Sequence, residues 1–284
     1  MITIEQIKST TLIQDSAKAW ALDTYKGKSN LDYINSALPI LGTSTKVEKG
    51  ESKGYVTNVV YLQPHDKVAT NTLCAWAKIN KCFDDCLEDS GHLGMTTGER
   101  AKSRRTILFL LDADRFYALL KRDIEKEHKK HGDKLAIRLN GTSDIDFSDF
   151  INSMPHIRFY DYSKGIRRLS HPKVSTDRKF PYDVTFSGSA VSDRTMKYTA
   201  EAIRNGYKTA IAFNTAHAKG EYRIPSELAD FDETDLRFLD GAVVGALKAK
   251  GTSKKFRESQ NNVPSFFFNE RTYRDLKNLI AIGG

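Results

Sequence analysis

The sequence is poor in cysteine and proline, and its apolar residues occur only in short runs. Of its 284 residues, 3 are Cys and 7 are Pro. No run approaches the roughly 20 apolar residues that a membrane-spanning helix needs, so no such helix is predicted. The first residues contain no basic segment followed by an apolar one, so no secretory signal is expected. Three cysteines are too few for a disulfide scaffold, which favours a reducing, cytoplasmic compartment.

Three motifs that define large enzyme classes are also missing. The chain has no GxxxxGK[ST] phosphate loop, no GxGxxG after a predicted strand and no GxSxG turn. ATPases, nicotinamide-dependent oxidoreductases and α/β-hydrolases depend on these motifs. The sequence therefore points away from all three classes.

The charge of the chain favours anionic partners. Lys and Arg number 44 against 36 Asp and Glu, which gives a net charge of +8. Such an excess suits nucleotides or nucleic acid, and basic residues concentrate at 167–168 and between 248 and 257. These clusters are either a solvated surface or a patch that faces phosphates, and the sequence leaves both open.

Short β-rich runs alternate with helical segments from residue 58 onward. The runs lie at 58–62, 135–139, 157–160, 183–186, 209–213, 236–239 and 242–247. The main predicted helices cover 99–111, 112–131 and 192–205, and an amphipathic helix is predicted over 4–22. Repeated strand–helix units predict an α/β fold with a mostly parallel sheet, a partial or complete (β/α) barrel.

This pattern predicts three parts of the chain. Residues 1–54 form a mixed N-terminal extension, and 55–250 form the barrel-like core with its cysteine loop. Residues 251–284 form a short C-terminal tail that packs on the core.

Small polar or acidic residues follow five successive predicted strands. They lie at 140–144, 161–164, 187–189, 214–215 and 240–241. In a (β/α) barrel the carboxyl ends of the strands share one face, where binding sites are built. The simpler explanation is that strand ends need turn residues. Because five strands share the feature, we expect a polar cavity at this face.

Two of these strand ends are candidate sites for chemistry. Asn140, Gly141, Thr142 and Ser143 could offer backbone amides to a carboxylate or phosphate, with Asp144 binding an amine or hydroxyl. Alternatively this is an Asx turn in which Asp144 caps the next helix.

Asp161 and Lys164, with Tyr162 between them, could form an acid–base group at the next strand end. Alternatively Asp161 and Lys164 form an ion pair in a surface loop. Arg104 and Arg105 could contact phosphate or carboxylate, or lie on an exposed helix face.

The three cysteines lie close together in sequence, just after the first predicted strand of the core. Cys74, Cys82 and Cys86 fall within 13 residues. Three thiolates could hold a 4Fe–4S cluster whose fourth iron stays open for a substrate or cofactor. A zinc ion with His65 or His92 as fourth ligand, or buried cysteines without a metal, are the alternatives.

Seven segments resemble the signature blocks of an uncharacterised bacteriophage family of the gene product 88 type. The most specific is Arg138-Leu-Asn-Gly-Thr-Ser-Asp-Ile145. The blocks lie at 74–86, 100–106, 138–145, 159–164, 185–189, 235–240 and 244–251. The resemblance implies a phage origin and a shared site, without implying an activity.

At the level of the fold, the chain is similar to radical S-adenosylmethionine enzymes, which carry a three-cysteine loop after the first barrel strand. The similarity implies that Cys74, Cys82 and Cys86 bind a 4Fe–4S cluster, whose open iron holds S-adenosylmethionine. It also implies that the strand ends face the cofactor or a small-molecule or nucleotide substrate, through Asn140, Asp144, Asp161, Ser187 and Ser189. The cysteines here are separated by seven and three residues, where that superfamily has three and two.

A non-catalytic phage protein that binds nucleic acid is the alternative from another class. Its cysteines would be structural, with zinc or without a metal. It requires Arg104, Arg167, Lys250 and Lys255 to form one continuous surface. The enzyme instead requires the cysteines and the polar strand ends to face one cavity. The oligomeric state does not follow from the sequence.

Overall fold

The computed structural model describes residues 1–43, 48–82, 96–214, 224–241, 243–249 and 265–282. The helices are α1 (Ile4–Ser9), α2 (Asp15–Leu22), α3 (Asn30–Ile34), α4 (Thr96–Leu111), α5 (Ala113–His131), α6 (Ser148–Asn152), α7 (Asp193–Arg204) and α8 (Glu270–Ile282). The strands are β1 (Thr24–Tyr25), β2 (Lys28–Ser29), β3 (Leu41–Gly42), β4 (Val56–Val60), β5 (Leu135–Arg138), β6 (Arg158–Ser163), β7 (Asp183–Ser187), β8 (Thr209–Phe213), β9 (Ala229–Asp230) and β10 (Val244–Lys248).

Eight strands form one sheet in the order β3-β4-β5-β6-β7-β8-β10-β9. Every neighbouring pair is parallel except β3 with β4. From β4 to β8 the strands lie side by side in chain order, as they do in a (β/α) barrel. The predicted α/β fold with a mostly parallel sheet is confirmed. The strands β1 and β2 form a separate antiparallel pair.

The two faces of the sheet differ in polarity, because alternate residues of a strand point to opposite sides. On one face Ile137, Phe159 and Phe186 are buried in the main apolar core, which includes Phe116 and Ile124 of α5. Burial of each such side chain stabilises the fold by roughly 1.5–3 kcal/mol. The other face carries mostly polar side chains, among them Arg138, Tyr160, Tyr162, Thr185 and Ser187. This polar face is the one on which a site can be built.

The segment 229–240 connects the two ends of the sheet. It begins as β9 beside β10, and then Lys53, which precedes β4, forms an ion pair with Glu233 at 2.6 Å. The Phe238 ring packs edge-on against Tyr55 and Tyr160, at 5.1 and 5.6 Å between ring centroids. The strand predicted over 236–239 is wrong, since Arg237–Leu239 is a 3-10 helix. Its apolar residues pack across the polar face of the sheet instead of extending it.

The single helix predicted over 4–22 is two helices, α1 and α2. The chain leaves the helical conformation at Thr10, whose backbone is extended. The following residues pair with another segment: Gln14 N–H donates to the Val68 carbonyl at 2.8 Å, and Ile13 bridges Ala69. These tertiary hydrogen bonds replace those that one continuous helix would make. Ile7, Ile34 and Ile40 join the same apolar core as β5 and β6.

The other predicted helices are confirmed with small changes at their ends. Asp112 caps α5 by accepting the Arg115 N–H, and Ser192 caps α7 by accepting the Thr195 N–H. Gly206 follows α7 with a φ of 74°, in the left-handed region that favours glycine. A 3-10 helix, Lys49–Lys53, precedes β4.

The described part of the C-terminal tail contacts β8 and α7. The Phe268 N–H donates to the Ala212 carbonyl at 2.8 Å, and Asn214 N–H donates to the Phe268 carbonyl at 3.0 Å. Leu276 and Tyr273 of α8 share a second apolar cluster with Met196 of α7. The predicted limits of the three parts of the chain stay a prediction. No helix among the described residues has the length and apolarity to cross a membrane.

We predict that Gly245→Ala destabilises the protein by about 1–3 kcal/mol. A Cβ at Gly245 would lie 2.1 Å from Cδ1 of Phe231, which packs directly on β10. Urea unfolding followed by circular dichroism measures the loss. Gly241→Ala is the matched control, because its Cβ would have no heavy atom within 4 Å. Equal stability of the two variants would contradict the close packing of Phe231 on the sheet.

Candidate functional site

A cavity of about 230 Å³ lies at the carboxyl ends of the parallel strands. Its wall includes residues of β5, β6, β7, β8 and β10, together with the segment that follows β4. Predicted site residues on this wall are Cys74, Cys82, Asn140, Gly141, Thr142, Ser143, Asp144, Lys164 and Ser187. Asp161 and Ser189 are not on it. The structure therefore brings most of the sequence-predicted site residues to one cavity.

The Cys74 segment is fixed to the loop 140–144. Cys74 forms a parallel bridge with Asp144, whose N–H donates to the Leu73 carbonyl at 3.0 Å. The Cys74 thiol donates to the Thr142 carbonyl, with Sγ and O 3.4 Å apart. The loop and the first cysteine thus form one unit beside the cavity.

Cys82 lies across a series of tight turns from Cys74. Ala77 N–H donates to the Cys74 carbonyl at 2.9 Å, and Cys82 N–H donates to the Ala77 carbonyl at 3.2 Å. Burial raises the pKa of the Cys82 thiol, and the nearby Lys164 ammonium opposes this shift. Neither Cys74 nor Cys82 is in a disulfide, and both are partly exposed.

The third predicted metal ligand, Cys86, lies outside the described residues, as does His92. Within the described ranges no three His, Cys, Asp or Glu side chains converge on a metal site. The cluster and zinc alternatives thus stay predictions.

Internal hydrogen bonds hold the loop 140–144 rigid. Asn140 Oδ1 accepts from Ser143 Oγ at 2.9 Å and from Ile145 N at 2.8 Å. Gly141 N–H donates to the Val60 carbonyl, and a Cβ at Gly141 would lie 2.5 Å from Val59 Cγ1. The amides of Asn140, Gly141 and Asp144 donate to protein acceptors. The predicted cradle of backbone amides is therefore reduced to Thr142 and Ser143.

The Asp144 carboxylate holds the end of β6. It accepts from Ser163 Oγ at 3.0 Å and from Lys164 N–H at 3.1 Å, and it forms an ion pair with Arg168. The alternative role as a helix cap is wrong, since Asp146 accepts the Ser148 N–H at the start of α6. The carboxylate is thus engaged by three donors at the edge of the cavity.

Asp161 is buried behind the loop, where it supports Asn140. Its Oδ1 accepts the Asn140 N–H at 2.7 Å, and its Oδ2 accepts from the Tyr182 hydroxyl at 3.0 Å. Burial raises the pKa of Asp161 to about 6, although the Asn140 N–H and the charges of Arg138 and Arg168 oppose that shift. Ser189 is also buried, and its N–H donates to Thr199 Oγ1 at 3.2 Å.

Lys164 does not form the surface ion pair with Asp161 that was the alternative. Its Nζ donates to Ser187 Oγ at 3.0 Å and lies 4.5 Å from the centre of the Phe266 ring. Both partners line the cavity. Lys164 is half-buried, and its charged end belongs to the cavity wall.

A buried ion pair at the base of the cavity was missed by sequence reasoning. Arg138 Nη1 donates to Asp235 Oδ2 at 2.9 Å, and the Tyr162 hydroxyl donates to Asp235 Oδ1 at 3.2 Å. The Tyr160 hydroxyl lies 3.4 Å from the same carboxylate. Burial opposes the charge of Arg138, but Asp235 holds the pKa of Arg138 above its ordinary value. The sequence contained one sign of this pair, namely an arginine, Arg138, in an otherwise apolar strand. A buried charge of this kind needs a partner.

Arg104 is not available to a phosphate. It is 2% exposed, and its guanidinium donates to the backbone carbonyls of Tyr33, Ser36, Leu38 and Pro39. The prediction that Arg104 contacts an anion on the surface is wrong, because the residue anchors the chain that follows α3. Arg167 is exposed, while Lys250 and Lys255 lie outside the described residues.

We predict that Asp161 makes the protein lose stability as the pH rises from about 4 to about 6. A raised pKa in the folded state means that the folded protein binds more protons than the unfolded chain in this window. The loss amounts to roughly 3 kcal/mol for a shift from an ordinary aspartate pKa to about 6. Urea unfolding at several pH values, compared with Asp161→Asn, measures it.

The Asp161→Asn variant should lack this part of the pH dependence. Asp177→Asn is the control, because Asp177 is an exposed aspartate that is not part of the cavity wall. Identical pH profiles for the wild type and Asp161→Asn would show that folding leaves the pKa of Asp161 unchanged.

Comparisons with known proteins identify the family. No curated protein and no solved structure matches the chain. The family model described as Gene product 88 matches residues 40–262, which is more than half of the chain and includes the cavity wall up to Ala249. The chain belongs to the phage Gene product 88 family.

Proposed function

We propose that this protein is an iron–sulfur enzyme with chemistry like that of radical S-adenosylmethionine enzymes. Cys74, Cys82 and Cys86 would hold a 4Fe–4S cluster, and S-adenosylmethionine and a small-molecule or nucleotide substrate would bind in the cavity. The main support is that Cys74 and Cys82 border the same cavity as the loop 140–144 and Ser187. An enzyme of this kind requires this convergence.

Two of the described residues offer ligands that suit such a cluster. Thiolates are the ligands that iron–sulfur clusters take, and neither Cys74 nor Cys82 is consumed by a disulfide. Cys74 is held in place through Thr142 and Asp144, which gives one ligand a fixed position beside the cavity. Cys86 follows Cys82 closely in sequence and would complete the set.

When bound, the cluster would supply an electron and one open iron for the amino and carboxylate groups of S-adenosylmethionine. The chain's own residues would orient the ligands. Ser143 and Ser187 present hydroxyls to the cavity, and Lys164 holds a proton at Nζ. Asp144 and Asp161 act as positioning residues, because their carboxylates hold the end of β6 and the loop at Asn140.

The nucleic-acid-binding alternative has less support. It depends on one continuous basic surface, and Arg104 is buried against backbone carbonyls instead. The polar strand ends meet at a concave cavity, which suits a small ligand better than a polymer.

Metal analysis of protein purified without oxygen tests the proposal. Iron, sulfide and zinc are measured after reconstitution with iron and sulfide, together with the absorbance spectrum. We expect about four irons and four sulfides per chain and a broad band near ~400 nm. Each of the variants Cys74→Ala, Cys82→Ala and Cys86→Ala should lose both the bound iron and sulfide and the absorbance band. Lys78→Ala is the matched control, since Lys78 is exposed and lies between the first two cysteines.

Two results would overturn the proposal. About one zinc per chain, with no iron after reconstitution, would support the alternative with structural cysteines. A protein that holds no metal, with the three cysteine variants folded and indistinguishable from the wild type, would exclude a cluster at these residues.

A further inference from the structure

The acidic side chains of the cavity wall all accept hydrogen bonds, whereas neither of its two lysines pairs with a carboxylate among the described residues. Asp144 pairs with Arg168, and Asp235 pairs with Arg138. Asp232 accepts the backbone N–H of Lys248 at 2.7 Å. Among the described residues no carboxylate lies within ion-pair distance of Lys164 Nζ or Lys248 Nζ. The wall carries three cations, Arg138, Lys164 and Lys248, against three carboxylates, and Arg168 at its edge adds one further positive charge.

Lys164 is the better placed of the two lysines. It is half-buried, and its ammonium is held between the Ser187 hydroxyl and the face of the Phe266 ring, 3.0 Å from Oγ and 4.5 Å from the ring centre. A hydroxyl and an aromatic ring hold an ammonium in place without neutralising it. Removing an ammonium from water costs free energy, which a bound anion would offset.

We propose that the substrate of this cavity carries a phosphate group, which Lys164 binds directly. This inference rests on the proposed function in one respect, namely that the cavity is the substrate site. Lys248 is exposed at the end of β10, where its charge would attract the anion to the mouth. The Ser187 hydroxyl, which already contacts Lys164, would donate to a phosphate oxygen.

The cations of the wall that pair with no carboxylate among the described residues favour a phosphate ligand over a carboxylate ligand. A planar guanidinium suits a planar carboxylate, and the cavity's arginine Arg138 and the adjacent Arg168 are engaged by Asp235 and Asp144. The remaining cations are lysines, which act as compact point charges and bind phosphate readily.

The rest of the ligand would lie against an apolar wall. Trp76, Leu247 and Phe266 also line the cavity, together with Ala210 and Ala212. A cavity of about 230 Å³ holds a small molecule. The ligand class is therefore a phosphorylated small molecule with an apolar or flat body.

Isothermal titration calorimetry of the full-length protein with inorganic phosphate and with pyrophosphate measures the binding affinity and tests this inference. We expect the wild type to bind either anion weakly, and Lys164→Met to weaken binding by about tenfold or more. Methionine keeps the length of the side chain against Phe266 and removes the charge. Lys164→Arg should keep most of the affinity, and Lys248→Met should reduce the salt dependence of binding.

Lys121→Met is the control, since Lys121 is exposed on α5 and is not part of the cavity wall. Circular dichroism checks that every variant is folded. Absence of binding to the wild type, equal binding by Lys164→Met, or tighter binding of malonate than of phosphate would each overturn the inference. The titration is repeated with Cys74→Ala: phosphate binding that survives in a variant unable to hold iron separates this inference from the fate of the cluster.

Discussion

The carboxylate of Asp235, enclosed by the sheet, is the group on which the arrangement of the site depends. A buried carboxylate is costly unless donors surround it, and Asp235 receives Arg138 from β5 and two tyrosine hydroxyls from β6. These contacts hold the segment 229–240 across the polar face of the sheet. The same segment contacts residues that precede β4, so one carboxylate links both ends of the sheet. The base of the cavity is the result.

Two further carboxylates set the shape of the cavity above this base. Asp161 binds the backbone of Asn140, and Asp144 binds the backbone of Lys164. The Asn140 side chain then closes its own loop through Ser143 and Ile145. The acidic residues are thus used to position strand ends, and the lysines remain available to a ligand. Side chains held in this way give a site a fixed geometry.

Most of the fold could be predicted from local patterns, and the site only in part. The strands β5, β7 and β8 were visible as short apolar runs bounded by turn residues, and Ser192 and Gly206 marked the ends of α7. The polar residues after each strand indicated the face that carries the cavity. The Arg138–Asp235 pair could not be predicted, because 96 residues separate its members and the local sequence around each does not indicate which residue is its partner.

Two sequence-based predictions, the strand over 236–239 and the surface position of Arg104, are wrong for the same physical reason. Leu236 and Phe238 resemble a strand, and Arg104 resembles a surface residue, when only near neighbours in sequence are considered. In the folded protein Leu236 lies against Gly50, and Arg104 binds the carbonyls that follow α3. Tertiary contacts of this kind override local propensity, because a buried polar group must find its hydrogen bonds wherever the chain provides them.

The spacing of the cysteines along the chain bears on the proposed cluster, and it too must be judged in the folded protein. Seven residues separate Cys74 from Cys82 where radical S-adenosylmethionine enzymes have three. The chain between them folds back through turns at Ala77 and Asn80, and Lys81 adopts a φ of 46° just before Cys82. Both cysteines consequently border one cavity despite the longer separation. Metal ligation depends on where the thiols lie in space, so the spacing along the chain does not by itself decide whether they share a centre.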